Sequence, residues 1–315
     1  MRLITAFLKL VRLPNLVFIA LAQILFQWCI FLPLYENSGL DTNDDLFRFI
    51  LLCTASVFIA AAGYIINDYF DINIDEVNKP QKLVVDKIIS RRWAIAWHLM
   101  LSFTGILLTA LAIPILEKWY LLLANIACVA LLWFYSTTFK KQLLVGNVVI
   151  SLLTAWSILI IFFSKVSVSD AIDPSTLTQP KFFRFAILYA GFAFITSLIR
   201  EAIKDLEDVR GDEKYGCRTM PIVWGMNATK VYIGVWMVVL IIAISTIQVY
   251  VMQFRWWLPV FYSVIAIIIP LLLIFRNLFR ARTQEDYHNL STHIKIVMLT
   301  GILSMIFFYF YLKDL

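Results

Sequence analysis

The chain is a succession of long apolar runs separated by short polar connections. Nine stretches hold about 20 predominantly apolar residues each, enough to cross a bilayer core at ~1.5 Å per helical residue. They are 15–34, 47–66, 93–116, 119–138, 146–163, 182–203, 231–251, 256–275 and 294–312. The runs are long and do not alternate, so they predict helices and not barrel strands. The sixth carries a polar end from Arg200 onward, and the short connection at Glu117-Lys118 predicts antiparallel neighbours on either side. Ahead of the first run, MRLITAFLKLVRLPN spreads Arg2, Lys9 and Arg12 through an amphipathic stretch with no small-residue cleavage site after the apolar segment. It reads as a short interfacial helix and not as a cleaved signal. The expected fold class is all-α, a polytopic membrane bundle of about nine helices made by a single domain over 1–315.

Composition agrees with that pattern. Hydrophobic residues make up 61% of the 315 and charged residues only 15%, where a soluble domain carries about a quarter. With the N-terminus inside, 20 of the 27 Lys and Arg fall in connections on the cytoplasmic side. That bias predicts N-inside and C-outside in the cell (inner) membrane. The net charge of +6 is then accounted for by topology and the anionic leaflet, with no nucleic acid partner. Cys29, Cys53, Cys128 and Cys217 lack metal-ligand spacing, and His98, His288 and His293 are scattered, reading as interfacial or surface groups. A zinc site, a disulfide framework and a nucleotide-binding Gly-Lys-Ser/Thr loop are all excluded.

Two polar stations break the apolar pattern. The first, GYIINDYFDINIDEVNKP, ends the second run with Asn67, Asp68, Asp71 and Asp75. Its three Asp stand at i, i+3 and i+7, which on a continuous helix places them on one face. The second, REAIKDLEDVRGDEKYGCRTMP, repeats the spacing with Asp205, Asp208 and Asp212. Glu201 lies a turn earlier, Glu207 points elsewhere on a helical wheel, and Gly211 and Gly216 predict that the helix frays nearby. Both stations fall on the same predicted side of the membrane. Stacked like charges destabilise a helix and are costly near a membrane unless paired or metal-bound.

Hard oxygen ligands in this number suit Mg²⁺, which shares its shell with water and substrate phosphates. Two such walls can hold a diphosphate through bridging Mg²⁺ ions that neutralise the leaving group. Lys79, Lys140, Arg200 and Lys204 are candidates for the remaining diphosphate oxygens. A diphosphate at a membrane mouth implies a donor with a lipid-soluble tail. Its ionisation gives an allylic cation that the rings of Tyr64, Tyr69, Trp133 or Tyr135 could stabilise.

At these residues the chain resembles the UbiA superfamily of intramembrane prenyltransferases. NDYFDINIDEVNKP is similar to the family's first Asp-rich motif, and KDLEDVRGDEKYG to the second, with its core at Asp208 and Asp212. YSTTFKKQLLVGN, holding Tyr135, Lys140, Gly146 and Asn147, is similar to the intervening segment, and VRLPN to the entry to the first helix. The resemblance implies a bundle around a central cavity, with a Mg²⁺-bound prenyl diphosphate held by Asn67, Asp68, Asp71, Asp75, Asp205, Asp208 and Asp212. By the same resemblance, Asp71, Asp75, Asp208, Asp212 and Tyr135 serve catalysis. Asn67, Lys79, Lys140, Asn147, Arg200 and Lys204 are expected to bind substrate. The run RExxKDxEDxxGD looks closest to the ether-lipid branch, whose acceptor is geranylgeranylglycerol phosphate. Lys82, Lys87, Arg91, Lys141 and Arg210 are cations available for such an acceptor's phosphate. The alternative acceptor is an aromatic acid of quinone synthesis. The alternative of another class is a cation transporter, whose carboxylates belong near the bilayer midplane.

Overall fold

The computed structural model describes residues 2–35, 42–80, 84–166 and 180–313. An amphipathic helix α1 (Arg2–Leu10) comes first, burying Ala6 and Leu10 while Leu3, Ile4 and Leu8 stay exposed. Among the described residues nine helices are long and apolar enough to span a membrane. They are α2 (Leu13–Tyr35), α3 (Thr42–Phe70), α5 (Arg91–Ala112), α6 (Ile115–Thr137), α7 (Val145–Lys165), α8 (Pro180–Lys214), α9 (Met226–Met252), α10 (Trp257–Arg280) and α11 (Gln284–Leu312). A short helix α4 (Ile72–Asn78) follows α3 directly. Outward faces are apolar, with Phe103, Leu116, Val249 and Phe261 all exposed, as lipid contact requires.

Three boundaries differ from the expected ones, each for a local reason. The break between α5 and α6 opens at Ile113-Pro114, ahead of Glu117-Lys118, and closes with a kink at Lys118 (φ −120°, ψ 28°), where the sequence predicts the connection. Pro114 cannot continue the hydrogen-bond ladder and holds Ile113 extended (φ −108°, ψ 148°). α8 continues far past the apolar run, to Lys214. α11 starts at Gln284, ten residues before its apolar stretch, behind a capping box: Asp286 N–H donates to Thr283 Oγ1 and Thr283 N–H to Asp286 Oδ2. That polar first half still buries Tyr287, Leu290 and Ile294.

α3 packs along α5, α8 along α7 and α11, and α4 against α8. An aromatic-rich core of Phe26, Phe31, Phe162 and Phe182 closes the bundle at the end away from the Asp-rich segments. Two further apolar clusters centre on α8–α11 and on α1, α3 and α5. Buried polar side chains tie helices together at mid-depth. Gln23 Nε2 donates to Ser56 Oγ at 2.9 Å and to the Ser157 carbonyl at 2.6 Å. Asn125 donates to Thr109 at 2.8 Å and accepts from Trp156 at 3.1 Å. His98, expected at the surface, is buried with Nδ1 3.0 Å from the Ala62 carbonyl.

Interhelical hydrogen bonds in a bilayer average ~0.6 kcal/mol each. Gln23→Leu removes two at once, so it is expected to cost about 1 kcal/mol and lower the thermal midpoint in detergent. An unchanged midpoint would show that the Gln23 bridge does not hold α2, α3 and α7 together.

Candidate active site

A cavity of about 970 Å³ opens between α2, α3, α6, α7, α8 and α11. Both Asp-rich stations line it, Asn67, Asp68, Asp71 and Asp75 from one wall and Asp205, Asp208 and Asp212 from the other. It reaches inward along apolar and aromatic side chains, including Phe18, Leu132, Trp156, Phe192 and Met305.

The first station is bent, not straight. α3 ends at Phe70, and Asp71 sits at φ −90°, ψ −1° before α4 resumes. The backbone ladder nevertheless carries through, from Asp71 N–H to the Asn67 carbonyl and from Asp75 N–H to the Asp71 carbonyl. Asn67 Nδ2 donates to Asp71 Oδ2 at 2.8 Å, and Lys140 forms an ion pair with Asp71. Asp68 is turned to Arg12, 2.6 Å away, whose guanidinium also lies over the Tyr64 ring. Arg12 occupies the left-handed region (φ 52°) in the turn between α1 and α2. Burial, then the charges of Asp71 and Asp68, push the Asp75 carboxyl up to about 7.

At the second station the predicted helix end falls at Gly216 and not at Gly211. α8 does not fray at Gly211. The Gly211 N–H donates to Asn78 Oδ1 at 2.8 Å, and Asn78 Nδ2 donates to the Asp208 carbonyl at 3.0 Å. A Cβ on residue 211 would lie 2.6 Å from Asn78 Cγ. The glycine therefore admits the side chain that joins the two stations. The helix ends later, at Gly216 (φ +70°), where Cys217 N–H bonds the Asp212 carbonyl and Gly216 N–H the Glu213 carbonyl.

Lys79, next to Asn78, makes a second joint. Its Nζ lies 2.9 Å from Asp208 Oδ2 and 3.2 Å from Glu207 Oε1. Burial pulls this ammonium down, but Asp208 and Glu207 more than restore it and hold it above its usual value. Glu207, expected to point elsewhere, lines the cavity and also meets His288 Nδ1 at 3.0 Å. Asn147 Nδ2 donates to Asp205 Oδ2 at 2.8 Å. Glu201 is buried between Arg200 and Lys204, each at 2.9 Å.

Lys140 reaches the site because the α6–α7 connection folds back tightly. Leu144 takes φ 64°, and a Cβ at Gly146 would stand 2.8 Å from the Lys140 Cα. Of the candidate aromatics, Tyr64 and Tyr135 line the cavity. Tyr69 and Trp133 do not. Each packs on Phe70, and Trp133 also meets His98. Trp156, Tyr189 and Phe192 line it instead, and nothing in their flanking sequence distinguishes them from lipid-facing residues. Lys87, Arg91, Lys141 and Arg210 stand outside the lining, and Lys82 lies outside the described residues. The cations that do line it include Lys9, Arg12 and Lys295.

A sequence model of the UbiA prenyltransferase family matches residues 30–299. The chain belongs to that family. It is an integral, multi-pass membrane protein and a prenyltransferase. This UbiA-family chain is 29% identical to the digeranylgeranylglyceryl phosphate synthase of Methanothermobacter thermautotrophicus, over 79% of its own length and 81% of the relative's. It is 26% identical to the synthase of that name from Saccharolobus solfataricus, over 96% and 95%. Among solved structures, a UbiA homolog from Archaeoglobus fulgidus bound to DMAPP and Mg²⁺ matches with a TM-score of 0.59 at 17% identity, covering 98% of this chain and 99% of that one. A structure of a digeranylgeranylglyceryl phosphate synthase matches with a TM-score of 0.57 at 23% identity, covering 97% and 99%. The fold is thus that of the family.

Do the residues of this chain suit a divalent ion? Among the described residues no three Asp, Glu, His or Cys side chains converge as they stand. A three-carboxylate cage is not what Mg²⁺ requires, because it binds through one or two carboxylates with water and substrate phosphates. Each wall offers two carboxylates of that kind, Asp71 with Asp75 and Asp208 with Asp212. The Asp75 carboxyl is raised first by burial and then by the charges of Asp71 and Asp68, and a cation at this wall would offset that charge. A hard cation fits.

Two predictions follow from this geometry. Gly211→Ala displaces Asn78 and should lower kcat/KM about tenfold, the worth of roughly 1.4 kcal/mol. Asn78→Ala should do the same, and the pair together little more; wild-type kinetics in either would discard the joint. Asp75 supplies the second. Between about pH 4 and about pH 7 the native state holds a proton there that the unfolded chain has released. In metal-free detergent solution, wild-type stability should therefore fall relative to Asp75→Asn as pH rises through that window. Parallel stability curves for the two proteins would contradict the shift.

Proposed function

We propose that this chain transfers a geranylgeranyl group from its diphosphate to the free hydroxyl of geranylgeranylglycerol phosphate, in ether-lipid synthesis. The observation that carries the proposal is the pair of acidic walls facing one cavity, whose inner part is lined by apolar and aromatic side chains. The diphosphate belongs between the walls and the isoprenoid tail along the apolar lining. The curated relatives bear the name of that product, and the RExxKDxEDxxGD run of α8 points the same way.

In the reaction, the bond between prenyl C1 and the diphosphate oxygen breaks and its electron pair leaves with the diphosphate. The acceptor hydroxyl oxygen bonds to C1 and gives up its proton, for which the released diphosphate is the base that the reaction itself supplies. Asp71, Asp75, Asp208 and Asp212, helped by Asn67 and Asp205, would hold Mg²⁺. When bound, Mg²⁺ neutralises charge on the departing diphosphate. Lys79 and Lys140, ion-paired with Asp208 and Asp71, would bind diphosphate oxygens. The faces of Tyr64 and Tyr135 stabilise positive charge building on the allylic carbons. Asp68, bound to Arg12, orients the α1–α2 turn at the cavity mouth. The proposed orientation puts this mouth and the N-terminus in the cytoplasm, on the strength of the Lys and Arg bias.

Purified protein should lose prenyl transfer in EDTA and regain it with Mg²⁺, and full turnover without metal would sink the mechanism. The acceptor is read by competition. With geranylgeranylglycerol phosphate, 4-hydroxybenzoate and dihydroxynaphthoate at equal concentration, most of the labelled prenyl group should appear on the glycerol phosphate ether. Label mainly on an aromatic acid would move the chain to quinone synthesis and leave prenyl transfer intact.

A further inference from the structure

The acidic walls account for one anion, the donor's diphosphate. The proposed acceptor brings another, and the cavity holds a separate group of cations with charge to spare. Arg200 and Lys204 on α8 and Lys295 on α11 all line it, on helices that pack together. Glu201 is the acid paired within this group, 2.9 Å from Arg200 Nη1 and from Lys204 Nζ. Lys295 stands within electrostatic reach of both cations. Among the described residues no acid lies at ion-pair distance from it. Arg200 Nε is buried and donates to nothing. Nearby, Asp205 accepts from Asn147 and Arg12 is paired with Asp68, so neither of them forms an ion pair with this group.

Arg200 and Lys204 share Glu201 as their acid at ion-pair distance and Lys295 has none among the described residues. Inside a membrane bundle a cation without such a partner is expensive and marks a ligand. A phosphate monoester carries about −1.5 to −2 near neutral pH and three acceptor oxygens, one for each of these cations. An aromatic carboxylate brings a single charge and two oxygens. Position agrees as well. In a glycerol phosphate ether the reacting hydroxyl and the phosphate sit on adjacent carbons, so the phosphate has to bind beside the diphosphate. Lys204 precedes Asp208 by one helical turn, a rise of ~6 Å.

We infer that Arg200, Lys204 and Lys295 form the binding site for the acceptor's phosphate monoester, with Lys295 deciding for it over an uncharged or singly charged acceptor. The inference rests on the glycerol phosphate reading above. Lys295 escapes sequence reasoning because it looks like one more cation at a helix end.

The test uses the full chain in detergent or nanodiscs with Mg²⁺. KM is measured separately for geranylgeranylglycerol phosphate and for geranylgeranyl diphosphate. Lys295→Gln should raise the acceptor KM about tenfold or more, the worth of a charge-assisted hydrogen bond. It should leave the donor KM within about twofold. Lys295→Arg should restore most of the acceptor affinity. Turnover of phosphate-free geranylgeranylglycerol, poor in wild type, should not change in either variant. Should Lys295→Gln not fold, Lys295→Met, which keeps the apolar stem, carries the same expectation. An acceptor KM that stays put, or a donor KM that rises equally, overturns the site while glycerol phosphate turnover by the wild type still stands. No wild-type turnover of glycerol phosphate overturns both readings together.

Discussion

Everything at this site depends on holding like charges close together in an apolar bundle. Carboxylates near a membrane cost several kcal/mol unless each finds a partner. The partners come from elsewhere in the chain: Arg12 for Asp68, Lys140 for Asp71, Asn147 for Asp205 and Lys79 for Asp208. Each contact joins segments far apart in sequence, so neutralising the acids also positions α1, α4, α6, α7 and α8 relative to one another. Fold and site share the same contacts.

That sharing has a chemical consequence. Asp71 and Asp208, which would hold a metal ion, are each paired with a lysine. In the reaction proposed above, Lys140 and Lys79 would then be free to meet diphosphate oxygens, so that their charge stays matched when the donor binds. Asn78 is different, because its bonds go to backbone at Asp208 and Gly211. They need not break when the carboxylates change partners, which lets α4 stay fixed to α8 while the lysines move.

Much of this was legible in the sequence, and the failures have definite causes. All nine spans were visible, because long apolar runs have few alternatives. The Asp spacing identified both stations, and the family resemblance implied their shared cavity. What it could not reveal was the bend at Asp71, since i→i+4 bonding survives a single residue in the bridge region. Gly211 was misread because a glycine admitting a neighbour's side chain looks in sequence like one ending a helix. The polar start of α11 was missed because hydropathy does not register a capping box, and with it went His288. Glu207 was set aside by helical phase, although Lys79 and His288 reach it from two other segments.

The central claim is that the two walls are halves of one diphosphate site, and a double-mutant cycle on binding tests it most directly. The affinity of a non-reactive geranylgeranyl diphosphate analogue would be measured with Mg²⁺ for wild type, Asp71→Asn, Asp208→Asn and the double variant. Parts of one unit are not additive. The account predicts that either substitution removes most of the Mg²⁺-dependent affinity and that the double variant is little worse than the singles. Two losses that simply add, or a single variant that binds as tightly as wild type, would contradict it.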